Sequence, residues 1–203
     1  MLTVACVFWD ANVASYEFSR CYTEVWVDKL YRGFRRNLTL PFRFVCFTER
    51  PREFAEPVEQ LPLSKSPPDY GALIEPYRLG EPMILVGLDT VVTGNCDEMA
   101  YFAMTSGMLA LPRDPYAKHR ACTGVQLVSP GFESVWETYQ GGDDMEHMRR
   151  QPHVFIDDIF PGQAESYKGH VRDHGVGDTR IVYFHGRPKM DEMQEPFVLE
   201  HWR

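Results

Sequence analysis

Between Met83 and Val86 the chain runs through four apolar residues, with Pro82 on one side and Gly87 on the other. A run this short and continuous predicts a strand covered on both faces, because a helix needs more length and a polar stripe. Val91 to Thr93 then returns to β-favouring residues, so the intervening Asp89 stands between two stiff segments. In open α/β sheets the carboxyl ends of strands are where ligands bind, which makes Asp89 a candidate functional carboxylate. A plain turn-forming role ahead of Thr90 is the simpler alternative.

The same pattern organises the rest of the chain. Thr3 to Phe8 reads as a first strand, and Trp9 to Asn12 as the loop after it. Tyr22, Trp26, Leu30 and Phe34 recur every four residues while Asp28, Lys29, Arg32, Arg35 and Arg36 fall opposite them, which predicts an amphipathic helix. Phe42 to Phe47 predicts a second strand, and strand, helix, strand predicts a parallel pair. The segment from Pro51 to Tyr70 carries prolines at 51, 57, 62, 67 and 68, so an ordered loop with at most a short strand at Val58 to Leu63 is expected. Leu73 to Leu79 predicts a short helix interrupted by Pro76. Further strands are expected at Gly107 to Leu111, Gly124 to Val128 and Arg180 to Phe184, with a surface helix at Phe132 to Gln140.

Composition narrows the class. A chain of 203 residues fits one domain, burying roughly 70% of the surface its unfolded form exposes. Hydrophobic residues make up 44% and charged residues 25%, which excludes disorder and fibrous structure. Lys plus Arg against Asp plus Glu gives 21 − 29 = −8, which opposes indiscriminate nucleic-acid binding. Cys6, Cys21, Cys46, Cys96 and Cys122 are odd in number and scattered, so neither a disulfide framework nor a structural zinc site is indicated, and a reducing cytoplasm is expected. The apolar opening reaches Asp10 without a basic flank, so neither a signal peptide nor a membrane span is expected.

A second stretch carries chemistry. Arg180 to Met190 reads as a strand followed by His185, Gly186, Arg187 and Lys189. An imidazole at a strand end, a glycine that lets backbone approach a ligand and two cations suit a metal-bound diphosphate. His185 lies 96 residues beyond Asp89 (185 − 89), so only the fold can bring the two together. A structural histidine and a solvated lysine are the bland alternatives. His147, His153, His170 and His174 show no ligand spacing and read as surface residues.

Phe44 to Glu49 (FVCFTE), Ile84 to Asn95 (ILVGLDTVVTGN), Thr123 to Ser129 (TGVQLVS) and Val182 to Lys189 (VYFHGRPK) together resemble the GT-A nucleotide-sugar glycosyltransferases. The likeness is strongest to glycosyltransferase family eight and its small bacterial and phage relatives. It implies a single-domain α/β, Rossmann-like fold over residues 1–203, with a mostly parallel central sheet flanked by helices. Of the family's Asp-x-Asp motif only the second acid is present, as Asp89, and Gly87 stands in the first position. The resemblance assigns Asp89 and His185 to a divalent cation, Mn2+ or Mg2+, and Lys189 with Gly186 to the diphosphate. It sets Phe8, Trp9, Asp10 and Thr48 around base and ribose, lets Arg78 supply the cationic donor contact, and adds Leu88 and Gly124 to the nucleotide-sugar site. Asp157 and Asp158 are the catalytic candidates, facing donor sugar or acceptor, with a helix N-cap pair as their structural alternative.

The implied activity is metal-dependent transfer of a sugar from a nucleoside-diphosphate sugar, a UDP-sugar foremost, to an acceptor hydroxyl. The acceptor is a small molecule, a glycan or a modified base of phage DNA, in a host cytoplasm if the chain is viral. The DNA reading draws on seven cations against one acid between Lys29 and Arg52, a run that otherwise reads as a solvated face. The alternative is a nucleotide-sugar-binding module weakened in turnover by Gly87. An aspartyl phosphatase would want an acid two residues after Asp89, where Val91 stands.

Overall fold

A computed structural model describes all 203 residues, the side chain of Phe18 excepted. Its main sheet has seven strands. Leu2–Phe8 (β1), Phe42–Thr48 (β2), Glu59–Pro62 (β3) and Met83–Val86 (β4) are joined by Leu109–Leu111 (β6), Val125–Val128 (β9) and Val154–Phe155 (β10), in the order β10-β6-β9-β4-β1-β2-β3. Thr90–Val92 (β5), Ala164–Ser166 (β11) and Ile181–Tyr183 (β12) form a second sheet, ordered β11-β12-β5. Arg113–Asp114 (β7) and Ala117–Ala121 (β8) make a separate hairpin.

The main sheet is mostly parallel, as expected, because helical crossovers return the chain to the same edge. Strand β1 pairs in parallel with both β2 and β4, and all seven of its residues are buried. Strand β9 departs from this direction, running antiparallel to β4 and to β6. The amphipathic helix forms at Glu24–Asn37 (the second helix, α2, after a single turn at Tyr16–Ser19, α1), and it buries Trp26, Leu30 and Phe34 on the face its periodicity marked. A third helix, Asp97–Thr105 (α3), buries Met99, Ala100 and Ala103 against the same core.

Several boundaries differ from expectation. The helix through Pro76 is a 3-10 helix from Tyr70 to Leu79, begun by the Asp69 carboxylate accepting from the Gly71 N–H and ended by Gly80 at φ 63°. Phe132 to Gln140 contracts to a short helix, Ser134–Glu137, whose Val135 is buried. His147 is buried and not on the surface, with Nε2 2.8 Å from the Val135 carbonyl oxygen. No helix is long and apolar enough to cross a membrane among the described residues. All five cysteines are free thiols.

What positions the site is a change of sheet. Strand β4 belongs to the main sheet and β5 to the second, and the chain passes between them in Gly87, Leu88 and Asp89. Strand β12 lies antiparallel to β5, pairing Tyr183 with Thr90, and the Phe184 N–H donates to the Asp89 carbonyl oxygen at 2.9 Å. The residue after Phe184 is His185, so this ladder brings the two distant strand ends side by side.

Candidate active site

Two contiguous cavities open at the sheet junction. The first, about 190 Å³, is walled by Phe8, Trp9, Tyr22, Tyr70 and Leu73. The second, about 310 Å³, is walled by Asp114, Tyr116, Cys122, Gly124, Met145 and Tyr183. Both share Leu73, Gly87, Asp89, Phe184 and His185. Each alone is small for a nucleotide sugar, whereas together they reach the size of pockets that enclose drug-sized ligands.

The shared wall holds the charge. Asp89 Oδ2 receives the ammonium of Lys189, and the two side chains are 17% and 3% exposed. Lys189 is held there by its own N–H, which donates to Glu192 Oε2 at 3.0 Å, and by Met190, buried in the cluster that contains Trp26 and Val91. Tyr22 stands beside Asp89, and burial, reinforced by that carboxylate's charge, pushes its phenol well above the usual range. His185 has Nδ1 3.4 Å from Ser166 Oγ and Nε2 3.1 Å from the Tyr116 hydroxyl. Burial, then the ammonium of Lys168, lowers the His185 pKa from the usual histidine value, so the ring is neutral at pH 7.

The remaining sequence candidates separate into those on a cavity wall and those elsewhere. Phe8, Trp9 and Leu88 line the first cavity, with Trp9 Nε1 donating to Ser15 Oγ at 3.0 Å. Gly124 lines the second, where a Cβ would lie 2.3 Å from Tyr183 Cδ2, so its lack of a side chain serves the packing of Tyr183. Gly186 has φ 62°, a conformation that favours glycine. Asp10 and Thr48 lie on neither wall. Arg52, with a side chain 0% exposed, donates to Thr48 Oγ1 at 2.7 Å and pairs with Asp10, Glu24 and Glu49 at 3.0, 2.8 and 2.8 Å. Its guanidinium stacks 3.7 Å over the Phe8 ring. Arginines 50 and 52 hold the Asp10 carboxyl down at about 2.

Arg78 is also away from the cavities, donating to the Pro62 carbonyl oxygen at 2.6 Å, and the wall positions on its helix belong to Tyr70 and Leu73. Asp157 and Asp158 sit in the first turn of a short helix, Ile156–Ile159, outside both cavities. Asp157 Oδ2 accepts from the Arg113 N–H at 2.9 Å, and Asp158 pairs with the Arg113 guanidinium at 2.7 Å. Besides Asp89, the carboxylate on the second cavity's wall is Asp114, which pairs with Arg149 at 2.7 Å. The cations between Lys29 and Arg52 are largely engaged within the fold: Arg43 with Glu59 and Glu81, Arg32 with Glu56, Arg50 with Asp10, and Lys29 over the Trp202 ring. They do not form a free basic face.

The sequence reading missed Lys168. It follows β11, whose Ser166 pairs in parallel with Tyr183, so Lys168 and His185 each stand two residues beyond that rung. A Cβ built on Gly186 would lie 3.3 Å from Lys168 Nζ.

A divalent cation does not fit these donors well. The Asp89 carboxylate already carries an ammonium, and both nitrogens of His185 face hydroxyl groups. Among the described residues no three His, Cys, Asp or Glu side chains converge on a point that would hold an ion.

The mostly parallel seven-stranded sheet flanked by helices has the fold of solved GT-A glycosyltransferases. Among solved structures that share it is an active-site variant of LgtC, at TM-score 0.60 and 8% identity, covering 98% of this chain and 94% of LgtC. GlyE of Streptococcus pneumoniae TIGR4 matches at 0.58 and 11%, over 93% of this chain and 55% of its own, and the bifunctional glycosyltransferase WbbM at 0.57 and 8%, over 98% and 50%. This chain thus spans about half the length of the last two. At these identities the likeness is one of fold. No family model and no curated protein matches the sequence.

Proposed function

We propose that this chain is a glycosyltransferase that binds a nucleoside-diphosphate sugar across the paired cavities and passes the sugar to an acceptor hydroxyl. The observation that carries the reading is the division of one cleft by a charged ridge. An aromatic cavity suits a nucleoside, the shared ridge of Asp89 and His185, with buried Lys189 bonded to Asp89, suits a diphosphate, and the second cavity, with Asp114 on its wall, suits a sugar and its acceptor. LgtC, which shares the fold, has been crystallised with donor and acceptor sugar analogues. In the reaction the bond from the anomeric carbon to the diphosphate breaks and its electron pair stays on the nucleoside diphosphate. The acceptor oxygen bonds that carbon, and its proton passes to a carboxylate or to solvent.

The residues have separable parts in this scheme. Phe8, Trp9, Tyr22 and Tyr70 hold the base by apolar contact, and the ridge meets the departing diphosphate with the neutral His185 imidazole beside an Asp89 carboxylate whose charge Lys189 cancels. Asp157 and Asp158 brace the hairpin through Arg113 and support the second cavity from behind. A divalent ion, Mn2+ or Mg2+, would draw on Asp89 and His185, whose atoms are engaged by Lys189, Ser166 and Tyr116.

The experiment is release of nucleoside diphosphate from UDP-, GDP- and ADP-sugars by the purified chain, with and without acceptor sugars, the uridine donors first. Turnover of one donor supports the assignment. Binding of a nucleotide sugar by calorimetry without any turnover instead supports a binding module, a reading that Gly87 in place of the first acid favours. No binding and no release across the panel removes both.

A further inference from the structure

The ridge poses a question of charge. A nucleoside diphosphate carries two or more negative charges, and the carboxylates on the cavity walls, Asp89 and Asp114, are each paired with a cation already, Lys189 and Arg149. Lys168 is left over: its Nζ stands over Gly186, beside His185, with no carboxylate within ion-pair distance among the described residues. Lys189 is 3% exposed and bonded to Asp89, and neither lysine is itself on a cavity wall, so both act on a bound anion by their charge across the wall residues Asp89 and His185. The positive φ of Gly186 carries the chain between the two lysines without a side chain to block the approach.

We propose that two lysines, Lys168 and Lys189, supply the charge facing the donor diphosphate in place of a divalent ion, so that donor binding is insensitive to chelation. The inference rests on the nucleotide-sugar reading above. Two ammonium groups carry the formal charge of one divalent ion, and they sit on different elements, the helical turn Tyr167–Val171 and the segment after β12, so their charge reaches the diphosphate from two sides. Asp89 then serves to orient Lys189 rather than to ligate a metal. This accounts for the tolerance of Gly87 at the first acidic position: with no ion to share, a second carboxylate has no partner. A Cβ there would lie 2.7 Å from Asp89 Oδ1, so the glycine also leaves Asp89 its room.

The test is calorimetry of UDP, GDP and ADP, and of the matching nucleosides, on the full chain in EDTA and in Mn2+. The expected result is a diphosphate affinity that changes by less than about threefold between the two conditions. Lys168→Met is expected to weaken the diphosphate about tenfold while leaving the nucleoside and the melting temperature unchanged. Lys168 is only partly buried and holds no ion pair among the described residues, so this variant folds even if Lys189→Met does not. Loss of diphosphate binding in EDTA with recovery in Mn2+, or a Lys168→Met affinity equal to wild type, overturns the proposal. If no diphosphate binds in either condition, the donor reading fails first, and this inference falls with it.

Discussion

Two strand ends of this molecule gather charge, and they do opposite things with it. At the carboxyl ends of β1 and β2, Arg52 is enclosed by Asp10, Glu24, Glu49 and Thr48 and stacked on Phe8, so every charge there has a partner inside the protein. At the junction of β4, β5 and β12, Asp89 and Lys189 satisfy each other but Lys168 is left without an anion, and two cavities open beside them. The first cluster closes a structure and the second leaves room for a ligand. Acidic and basic residues at strand ends are therefore informative only once their partners are counted.

The sharpest way to break this contrast is Asp89→Ala, which leaves Lys189 buried and unpaired. A loss of about 3–5 kcal/mol in urea unfolding is expected, and the Asp89→Leu/Lys189→Met double variant is expected to lose less than the single one. Equal losses would show that the pair is not coupled. Arg52→Ala comes next, at about 2–3 kcal/mol, because its acidic partners remain partly hydrated. Calorimetry of the folded variant is expected to show nucleoside diphosphate binding close to wild type, and a large drop in affinity would place Arg52 in the donor site after all.

Two smaller effects concern pH. Burial, followed by the neighbouring charge of Asp143, pushes the Asp144 carboxyl up to about 6. The folded state then holds its proton more tightly than the unfolded chain, so stability falls as pH rises from about 4 to 6. Asp144→Asn is expected to raise stability at pH 7 by on the order of 1 kcal/mol, after discounting for partial exposure, and to give no gain near pH 4. A gain independent of pH would assign the effect to packing. Asp10 has the opposite sign: held down to about 2, it stabilises above pH 4 and loses that contribution as pH falls toward 2. Because Asp10 is 58% exposed, Asp10→Asn is expected to cost at most about 1 kcal/mol at pH 7, with the difference from wild type closing between pH 4 and 2.

How much of this was legible depended on whether a signal was local. The α2 stripe and the apolar runs of β1, β2 and β4 carry their periodicity within a few residues, and they formed where expected. The direction of β9 was not legible, because four buried apolar residues read the same whether the neighbour runs parallel or antiparallel. Asp89 and His185 were each visible as strand-end residues, but their adjacency comes from a three-residue ladder between β5 and β12. Arg52 looked like one more cation in a basic run, although acids at Asp10, Glu24 and Glu49 were present to receive it. Lys168 carried no local mark, since only the parallel pairing of β11 with β12 sets it beside His185.

The three residues from Gly87 to Asp89 belong to neither sheet and are gripped at both ends. Any sliding of one layer over the other must therefore be absorbed where the ridge stands. Substitutions behind the cleft that loosen this layering, at Trp26 or Val91 in the cluster that also holds Phe184 and Met190, will register as altered ligand affinity before they register as unfolding. The grip of this site is set by the stiffness of the whole slab behind it.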